Sequence, residues 1–470
     1  MTVAEPPSAR SRRRTTLLFF AAVVLHALAY FLLSPPWMGE DEPWHFEYVE
    51  HVAHGHQPWG GTPMAQQAPA GTDPRRLHAT AHLQVRQRFA DIPIEEVDAT
   101  ERAILASMRA HDFWRRVDWA GSETDVDTFD QVAKNFSAMK NPPGYYLLAG
   151  AWLRLWSPES IEARLTCVRA LSFLLYLATV AFGLAFLRTV IADERLALLG
   201  AALIAWFPMH ARQASLVSND VLANTAIAAV FWLCGRWLAG RSGKLDALWL
   251  LVACAVGLFT KTTSASAVVV IGFAVALRAR PRGSAALRTR WLPLGAVGLL
   301  AAIAFAVWIR KSPALPRSLG RLQLRLEQGL SLDMLAETWR TWIGAFNWYS
   351  RELPDGVYAA AAVVAALALL GASRALYKPP AEIARSVLTL CVASVVFQYA
   401  AIVLNGVGAG RYFMPMLPAV ALLAVAGLVA VWPRERHVRA ALACIVLLFV
   451  LDAIFLWYGL VPNQYLLWNA

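Results

Sequence analysis

The sequence predicts an all-α polytopic membrane protein, and three observations lead to that prediction. Of the 470 residues, 58% are apolar and 16% are charged, and the mean hydropathy is +0.46. Apolar runs of nearly membrane-spanning length recur along the chain, too often for a single soluble core. The strict apolar and polar alternation of outer-membrane barrels is absent from the sequence. Helices are therefore expected to satisfy the backbone hydrogen-bonding groups within the bilayer.

About eleven spans are expected. Their approximate ranges are 15–34, 163–190, 195–212, 217–238, 245–260, 264–280, 291–309, 356–376, 386–405, 413–432 and 440–459. Several are shorter than the ~20 residues of a straight span. The cysteines all fall within these ranges, so neither a disulfide framework nor a cysteine-based metal site is expected. They are Cys167, Cys234, Cys254, Cys391 and Cys444.

The distribution of Lys and Arg sets the expected orientation. Basic residues precede the first span and then occupy alternate connections, as in 10–14, 236–244, 278–290 and 434–439. Positive charge collects on the cytoplasmic side, so that face is expected to be cytoplasmic. The net charge of +11 follows from this bias and does not indicate binding to nucleic acid. The loop after the first span carries 17 acidic against 10 basic residues over 36–140 and is expected outside.

Five segments follow from this arrangement. They are a cytoplasmic amino terminus and first span (1–34), a large extracytoplasmic loop (35–162), a transmembrane bundle (163–309), an extracytoplasmic amphipathic segment (310–355) and the carboxyl-terminal spans (356–470). Within the large loop, the apolar run from Pro142 to Trp156 is too short to span the bilayer. A re-entrant or interfacial helix is expected there.

The large loop opens with an acidic motif, GEDEPWH over 39–45, directly after the first span. Carboxylates at a membrane boundary are costly to keep and therefore suggest a functional site. His45 follows Asp41 by four residues, so a helix that begins here places both on one face. That face could bind a hydroxyl group and take its proton. The alternative is a solvated loop whose acids cap a helix.

Further polar residues flank other spans at the same outer level. Asp220 opens the fourth predicted span, Lys261 joins the fifth to the sixth, and Arg411 with Tyr412 precedes the tenth. Residues at one level converge when helices form a bundle, and Lys and Arg suit a phosphate group. The alternative for Lys261 and Arg411 is an ordinary flanking position or an interhelical salt bridge. For Asp220, the alternative is a helix cap.

Several other residues have two interpretations. Lys140 can approach the outer cavity from above or is a solvated loop lysine. Tyr145, like other outer aromatic residues, suits either stacking on a sugar or the membrane interface. The run from His51 to His56 resembles a metal-binding tract, although no helical or strand spacing fixes its geometry. Asp452 lies in the last predicted span and is expected to pair with a polar group of the bundle.

The order of these motifs resembles that of the GT-C glycosyltransferases, which include the protein O-mannosyltransferases and the lipid A aminoarabinose transferases. The shared features are one amino-terminal span, an Asp-Glu pair at the start of the first outer loop, a late PPGYYLL element over 142–148 and many further spans. The DEPWH, SND, TK and GRYFMPMLP motifs most resemble a largely uncharacterised bacterial family of this type. The resemblance covers most of the chain.

This resemblance implies an inverting glycosyltransferase of the bacterial inner membrane, with its active site on the extracytoplasmic side. The implied donor is a polyprenyl-phosphate-linked sugar, and the acceptor is a hydroxyl group on a protein, a glycan or a glycolipid. Asp41 matches the catalytic carboxylate, which acts as general base. Glu42 orients the acceptor or holds a divalent cation, Mg or Mn, and the metal requirement is left open. Since Glu40 precedes this pair, the identity of the base among the three acids is also open.

The remaining implied site residues bind the donor phosphate or the substrate. Lys261, Arg411 and Lys140 are expected to neutralise the departing phosphate. The full expected binding set is His45, Lys140, Tyr145, Asp220, Lys261, Arg411 and Tyr412.

Two alternatives come from other functional classes. A flippase of lipid-linked glycans would also place charges in a bundle, but deeper, along several spans and with an internal two-fold repeat. The sequence shows neither feature. A polysaccharide polymerase or ligase uses a similar donor, but such enzymes tend to have their large loop late in the chain and to rely on arginines. Here the large loop comes first and is acidic.

Overall fold

The structure is a computed structural model of the chain. It describes residues 9–39, 41–61, 85, 88–89, 92–113, 138–278, 332–346, 351–379, 383–404 and 410–432, together with the single positions 439, 443, 446–447, 449–450, 452–454 and 456. The predicted span 291–309 lies outside the described residues, as do Glu40 and most of the predicted span 440–459.

Helices account for nearly all of the regular structure in the amino-terminal half. They are α1 (Ala9–Leu33), α2 (Glu42–Ala53), α3 (Ile94–Ala110), α4 (Gly144–Trp156), α5 (Ile161–Val190), α6 (Glu194–Ala205), α7 (Pro208–Gln213), α8 (Asn219–Leu238), α9 (Asp246–Thr260) and α10 (Ser266–Arg278). Short 3₁₀ turns precede α4 and α10, over Ala138–Lys140 and Thr262–Ala265.

The described carboxyl-terminal part adds four helices and one short hairpin. They are α11 (Leu332–Ile343), β1 (Ala345–Phe346), β2 (Arg351–Glu352), α12 (Asp355–Tyr377), α13 (Arg385–Leu404) and α14 (Leu417–Val431). The two-residue strands pair antiparallel, with Ala345 opposite Glu352. A 3₁₀ segment over Gly410–Met416 leads directly into α14.

Six helices among the described residues are long and apolar enough to cross a membrane. They cover Arg10–Leu33, Ile161–Val190, Asn219–Leu238, Asp355–Tyr377, Arg385–Ile402 and Gly410–Val431. Two predicted spans are shorter apolar helices, Asp246–Thr260 and Thr262–Arg278. The fold class expected from composition, an all-α polytopic membrane protein, is confirmed. The predicted helix up to Trp156 is also present, with 13 residues.

The predicted span 195–212 is wrong as a single helix. The structure divides it into α6, which has 12 residues, and α7, which has six. Phe207 between them has an extended backbone, and Pro208 occupies the start of α7. Proline disfavours helical geometry in the residue before it and lacks an N–H, so it begins a helix more readily than it continues one.

Two apolar clusters organise these helices. The larger lies among α5, α6, α8 and α14, with α5 packed along α8 and α12 along α14. The second cluster is built mainly from the large loop: α2 packs on α4, α4 packs on α5, and Trp44, Phe46 and Tyr146 are buried. The described part of this loop is therefore a folded layer over one end of the bundle, and it determines the position of the acidic motif.

Asp452 finds its partners on the first span. One carboxylate oxygen is 2.7 Å from Nε2 of His26, and the other accepts a hydrogen bond from the Tyr30 hydroxyl at 2.5 Å. Asp452 is 3% exposed. The expectation that Asp452 has a polar partner in the bundle is therefore confirmed. Its contacts with His26 and Tyr30 join α1 to the last predicted span.

Candidate active site

Asp41 stands at the start of α2 in an unusual backbone conformation. Its φ and ψ are 60° and 9°, in the left-handed region, which costs a non-glycine residue about 1 kcal/mol or more and is tolerated best by Asn and Asp. Pro43 fits the first turn of α2, where its missing N–H is not required. The chain therefore turns sharply between the first span and α2. Such strain is common at functional sites, where surrounding contacts hold it.

Arg411 provides the counter-charge of Asp41. Its Nη2 donates to Oδ2 of Asp41 at 2.6 Å, although 370 positions separate the two residues in the sequence. The side chains are 13% and 19% exposed, so the pair is accessible from one side. Burial is the largest single effect and raises the pKa of Asp41, but the charge and hydrogen bond of Arg411, together with the weaker effects of its other basic neighbours, lower that pKa below its ordinary value. Asp41 is therefore held as a carboxylate.

Glu42 has a different environment from its neighbour. It is fully buried, and Arg169 donates to both of its oxygens, from Nε at 2.8 Å and from Nη2 at 2.7 Å. The backbone N–H of Val217 donates to Oε1 at 3.0 Å, and that of Gly39 to Oε2 at 3.2 Å. Both oxygens of Glu42 are thus engaged by the protein itself.

Arg169 extends this contact to the end of the first span. Its Nη1 donates to the carbonyl oxygen of Ser34 at 2.9 Å and its Nη2 to that of Pro35 at 2.8 Å. Arg169 and Glu42 therefore connect α1, α2, α5 and the segment before α8. We call these two residues the clamp.

His45 lies one turn after Asp41 and is buried. Its Nδ1 is 2.7 Å from the hydroxyl of Tyr146, and the two rings stack at 5.8 Å. Burial lowers the pKa of His45 to about 4, and the charges of Lys261 and Arg411 act in the same direction against those of Asp41 and Asp220. His45 is therefore neutral at pH 7.

Asp220 and Lys261 form a second ion pair beside the first. Nζ of Lys261 donates to Oδ1 of Asp220, and both side chains are nearly buried. Ser218, and not Asp220, caps α8, because its hydroxyl accepts from the N–H of Asp220 at 3.2 Å. Lys261 follows α9 in an extended conformation and lies 4.6 Å from the centre of the Tyr412 ring.

Tyr412 connects the two ion pairs. The guanidinium carbon of Arg411 lies 5.4 Å from the centre of the Tyr412 ring, which also faces Lys261. Cations are attracted to the face of an aromatic ring by about 0.5–2 kcal/mol. The two ion pairs and the ring therefore form one cluster of two carboxylates, two cations and an aromatic face. Within it each cation already holds a carboxylate, so a bound phosphate must share or replace one of them.

Two glycines allow this cluster to assemble. A Cβ on Gly144 would lie 2.7 Å from the carbonyl oxygen of Phe259, so α4 meets the end of α9 just before Lys261. Gly410 donates its N–H to the Thr341 hydroxyl at 2.7 Å, and a Cβ there would collide with the backbone of Trp342. Glycine permits these close approaches, which bring Lys261 and Arg411 toward the acidic motif.

The remaining expected site residues occupy different places. Lys140 is exposed, and its charge acts on Asp41. The Tyr145 hydroxyl lies 3.3 Å from that of Ser172 in the core, and burial raises its pKa. Tyr146, and not Tyr145, contacts His45. The structure thus brings together Asp41, His45, Asp220, Lys261, Arg411 and Tyr412 from the expected set.

The structure assigns other partners to the groups expected to hold a metal ion. Glu42 is paired with Arg169. His56 in the histidine run pairs with Glu96 at 2.7 Å. In the part of the chain that the structure describes, no group of three or more His, Cys, Asp or Glu side chains could hold a metal ion.

A comparison with protein families places the chain. The model of a family described as "Predicted membrane protein (DUF2142)" matches residues 18–420, which include every residue of the cluster. The chain belongs to this family. Its membership agrees with the six spanning helices described above. A search of curated proteins returned no match.

Three solved structures align with this DUF2142 chain, each at 13% identity. The first is an oligosaccharyltransferase from Archaeoglobus fulgidus, solved with Zn and sulfate. The alignment covers 94% of this chain and 53% of the oligosaccharyltransferase chain, with a TM-score of 0.49. AglB from that archaeon, with an inhibitory peptide and a dolichol-phosphate, covers 96% and 55%, with a TM-score of 0.44. ArnT from Cupriavidus metallidurans, bound to undecaprenyl phosphate, covers 95% and 73%, with a TM-score of 0.43.

The DUF2142 chain spans about half the length of the two archaeal oligosaccharyltransferases.

Proposed function

We propose that this protein is a glycosyltransferase that moves a sugar from a polyprenyl-phosphate-linked donor to a hydroxyl acceptor, with Asp41 as general base. One observation carries the proposal: the ion pair of Asp41 and Arg411 at the outer end of the first span. A carboxylate and a guanidinium in contact, both partly exposed, supply a base and a phosphate-binding group within one site. The donor class is the one that the sequence motifs imply.

The proposed reaction is a single displacement. Asp41 accepts the proton of the acceptor hydroxyl, and the acceptor oxygen forms a bond to the anomeric carbon of the sugar. The bond from that carbon to the phosphate oxygen breaks, and the polyprenyl phosphate leaves with the electron pair. The configuration at the anomeric carbon is inverted because the base and leaving group lie on opposite faces of the sugar.

Arg411 connects the state of the base to donor binding. While Arg411 holds Asp41, the pKa of Asp41 is lowered and the carboxylate is a weak base. A donor phosphate competes for the same guanidinium, which binds phosphate through two parallel hydrogen bonds. Transfer of Arg411 to the phosphate removes the counter-charge from Asp41 and raises its pKa. The base is thus activated only when a donor is present.

Lys261 and Lys140 complete the proposed phosphate site. Lys261 lies beside Tyr412 and its charge acts on His45, whereas the charge of Lys140 acts on Asp41 from the exposed side. Their charges neutralise the negative charge that develops on the leaving group. We assign Glu42 to the clamp and not to catalysis, because Arg169 and two backbone N–H groups engage its oxygens. The proposal therefore includes no metal ion.

The proposed location is the bacterial inner membrane, with the cluster on the extracytoplasmic side. The chain is a membrane protein by its apolar helices and its family. Its orientation is supported by the arginines at the opposite ends of α1, α5 and α8. A donor tail of isoprenoid units can remain in the lipid while its phosphate reaches a site at the end of the spans.

The proposal is tested by transfer of labelled sugar from a panel of polyprenyl-phosphate donors to a membrane extract. Asp41→Asn is expected to lower the rate by about 10²–10⁴-fold, because the amide cannot accept the proton. Glu40→Gln is the matched control, since it removes a charge of the same sign next to Asp41. Donor binding, measured separately, is expected to persist in Asp41→Asn and to weaken in Arg411→Ala. Transfer by Asp41→Asn at the wild-type rate would refute the mechanism.

A further inference from the structure

A second charged site lies at the other end of the first span. It is a cavity of about 540 Å³ lined by four arginines and one acidic residue. Ligand cavities typically measure about 300–1,000 Å³, so a polar headgroup fits this volume. The lining residues are Arg12, Arg13, Thr16, Arg188, Ile191, Ala192, Glu194 and Arg241.

The walls of this cavity come from three separate parts of the chain. Arg188 near the end of α5 pairs with Glu194 at the start of α6, and its Nη2 donates to the Thr16 hydroxyl of α1 at 2.5 Å. Arg241, after α8, donates from Nη1 to the carbonyl oxygen of Thr189 at 3.1 Å. Arg188 and Arg241 are thus fixed by contacts. The bias of positive charge toward one face explains the presence of these arginines but not their convergence on one cavity.

The charges in the cavity favour an anion. Four guanidinium groups face one carboxylate, that of Glu194, which is held by Arg188. Arg12 and Arg13 are exposed on the first turn of α1. Guanidinium groups bind phosphate through paired hydrogen bonds and are more weakly hydrated than ammonium groups. The cavity therefore suits a phosphate monoester or diester.

The position of the cavity indicates which source of phosphate fits. The arginines lie where the apolar parts of α1, α5 and α8 end, at the expected boundary of the bilayer. Leu17 is one helical turn from Arg13, belongs to the apolar part of α1 and is 63% exposed. A phospholipid can place its phosphate among the arginines and an acyl chain along this surface of α1. A soluble phosphate would contact the arginines but would leave the apolar surface of α1 unused.

We propose that this cavity binds the headgroup of an anionic phospholipid. The site is separate from the candidate active site, because the 25 residues of α1 span about 37 Å and hold the two sites at opposite ends. A bound lipid would link the ends of α1, α5, α6 and α8 through its phosphate. Basic pockets between spans bind anionic lipid headgroups by the same physical rules.

The test is a lipid titration of the full chain in detergent, followed by native mass spectrometry. Phosphatidylglycerol is the anionic probe and phosphatidylcholine of equal chain length is the neutral probe. The double variant Arg12→Gln with Arg13→Gln is expected to weaken phosphatidylglycerol binding about tenfold or more. Arg10→Gln with Arg14→Gln removes the same charge from the same helix end, but neither residue lines the cavity. This control is expected to change binding less than twofold.

Three results would overturn the proposal. Equal loss of binding in both double variants would show a diffuse surface charge and no site. Tighter binding of soluble glycerol 1-phosphate than of phosphatidylglycerol would assign the cavity to a soluble phosphate. Arg241→Gln is a second variant, on a different segment of the chain, and is expected to weaken lipid binding as well. Weaker binding in this variant could not result from a local structural change in α1. Unchanged binding in Arg241→Gln and in the Arg12 and Arg13 variant would also contradict the proposal.

Discussion

Arg169 engages both carboxylate oxygens of Glu42, at 2.8 and 2.7 Å, inside a fully buried environment. The pair lies directly beside Asp41, the residue of the acidic motif that has a strained, left-handed backbone conformation. Glu42 also accepts the N–H of Val217, which precedes α8 and its Asp220. A structural ion pair therefore fixes the backbone on which both carboxylates of the candidate site stand.

We expect Arg169→Gln to destabilise the protein by about 3–5 kcal/mol, since removal of one partner leaves a buried carboxylate without its counter-charge. The measurement is thermal unfolding of the purified protein in detergent. Arg340→Gln is the control. Arg340 pairs with Asp355 at 2.9 Å, and the two side chains are 38% and 85% exposed. Its loss should cost about 1 kcal/mol. Similar costs for the two variants would contradict a special role for the clamp.

Gly410→Ala is expected to displace Arg411. The added Cβ would overlap the backbone of Trp342, which cannot move as a flexible side chain can. We expect a loss of stability of about 1–3 kcal/mol. Because Arg411 is the next residue, we also expect the rate of sugar transfer to fall by more than this loss of folded protein would explain. Gly272→Ala is the control, since a Cβ at this position in α10 meets nothing within 4 Å. It should leave transfer unchanged and stabilise the helix slightly.

The sequence was informative about the class of protein and about polar residues at span ends. Composition and apolar runs predict a helical membrane bundle, and the ends of separate spans supply Asp41, Asp220, Lys261 and Arg411, which the structure pairs. Such residues are visible because a charge beside an apolar run is costly and stands out. Which carboxylate pairs with which cation depends on packing between helices, and sequence spacing does not encode it.

Other contacts could not be derived from the sequence. Asp452 bonds to Tyr30 across 422 positions, a separation at which no local pattern applies. Tyr145 and Tyr146 are neighbours at the start of α4, and only the rotation of that helix decides which one meets His45. Arg169 did leave a signal in the sequence, because an arginine inside an apolar span is expected to have a partner.

Acid is expected to destabilise the folded protein between pH 6.5 and about 4. Burial lowers the pKa of both His45 and His51 to about 4, whereas an unfolded histidine has a pKa near 6.5. Below pH 6.5 the unfolded state therefore binds protons that the folded state does not, so stability falls with pH until the folded histidines protonate near pH 4. The measurement is the thermal midpoint as a function of pH.

His51→Asn should reduce the slope of that pH dependence, whatever its effect on stability at pH 7. His54→Asn is the control, because its side chain is 46% exposed and it directly follows the same helix. Equal slopes for wild type and His51→Asn would contradict this assignment.

Tyr146→Phe is expected to lower sugar transfer about tenfold, and Tyr145→Phe to leave it within about twofold. The Tyr146 hydroxyl contacts Nδ1 of His45 at 2.7 Å and accepts from Asn141 at 3.2 Å, so its loss frees the ring beside Asp41 to rotate. The Tyr145 hydroxyl has a longer contact, 3.3 Å to Ser172, away from the cluster. The two variants remove the same atom from adjacent residues. Steady-state rates at saturating donor would separate an effect on the position of the His45 ring from an effect on donor binding. Equal losses of rate in the two variants would show that the hydroxyl of Tyr146 has no special role in the site.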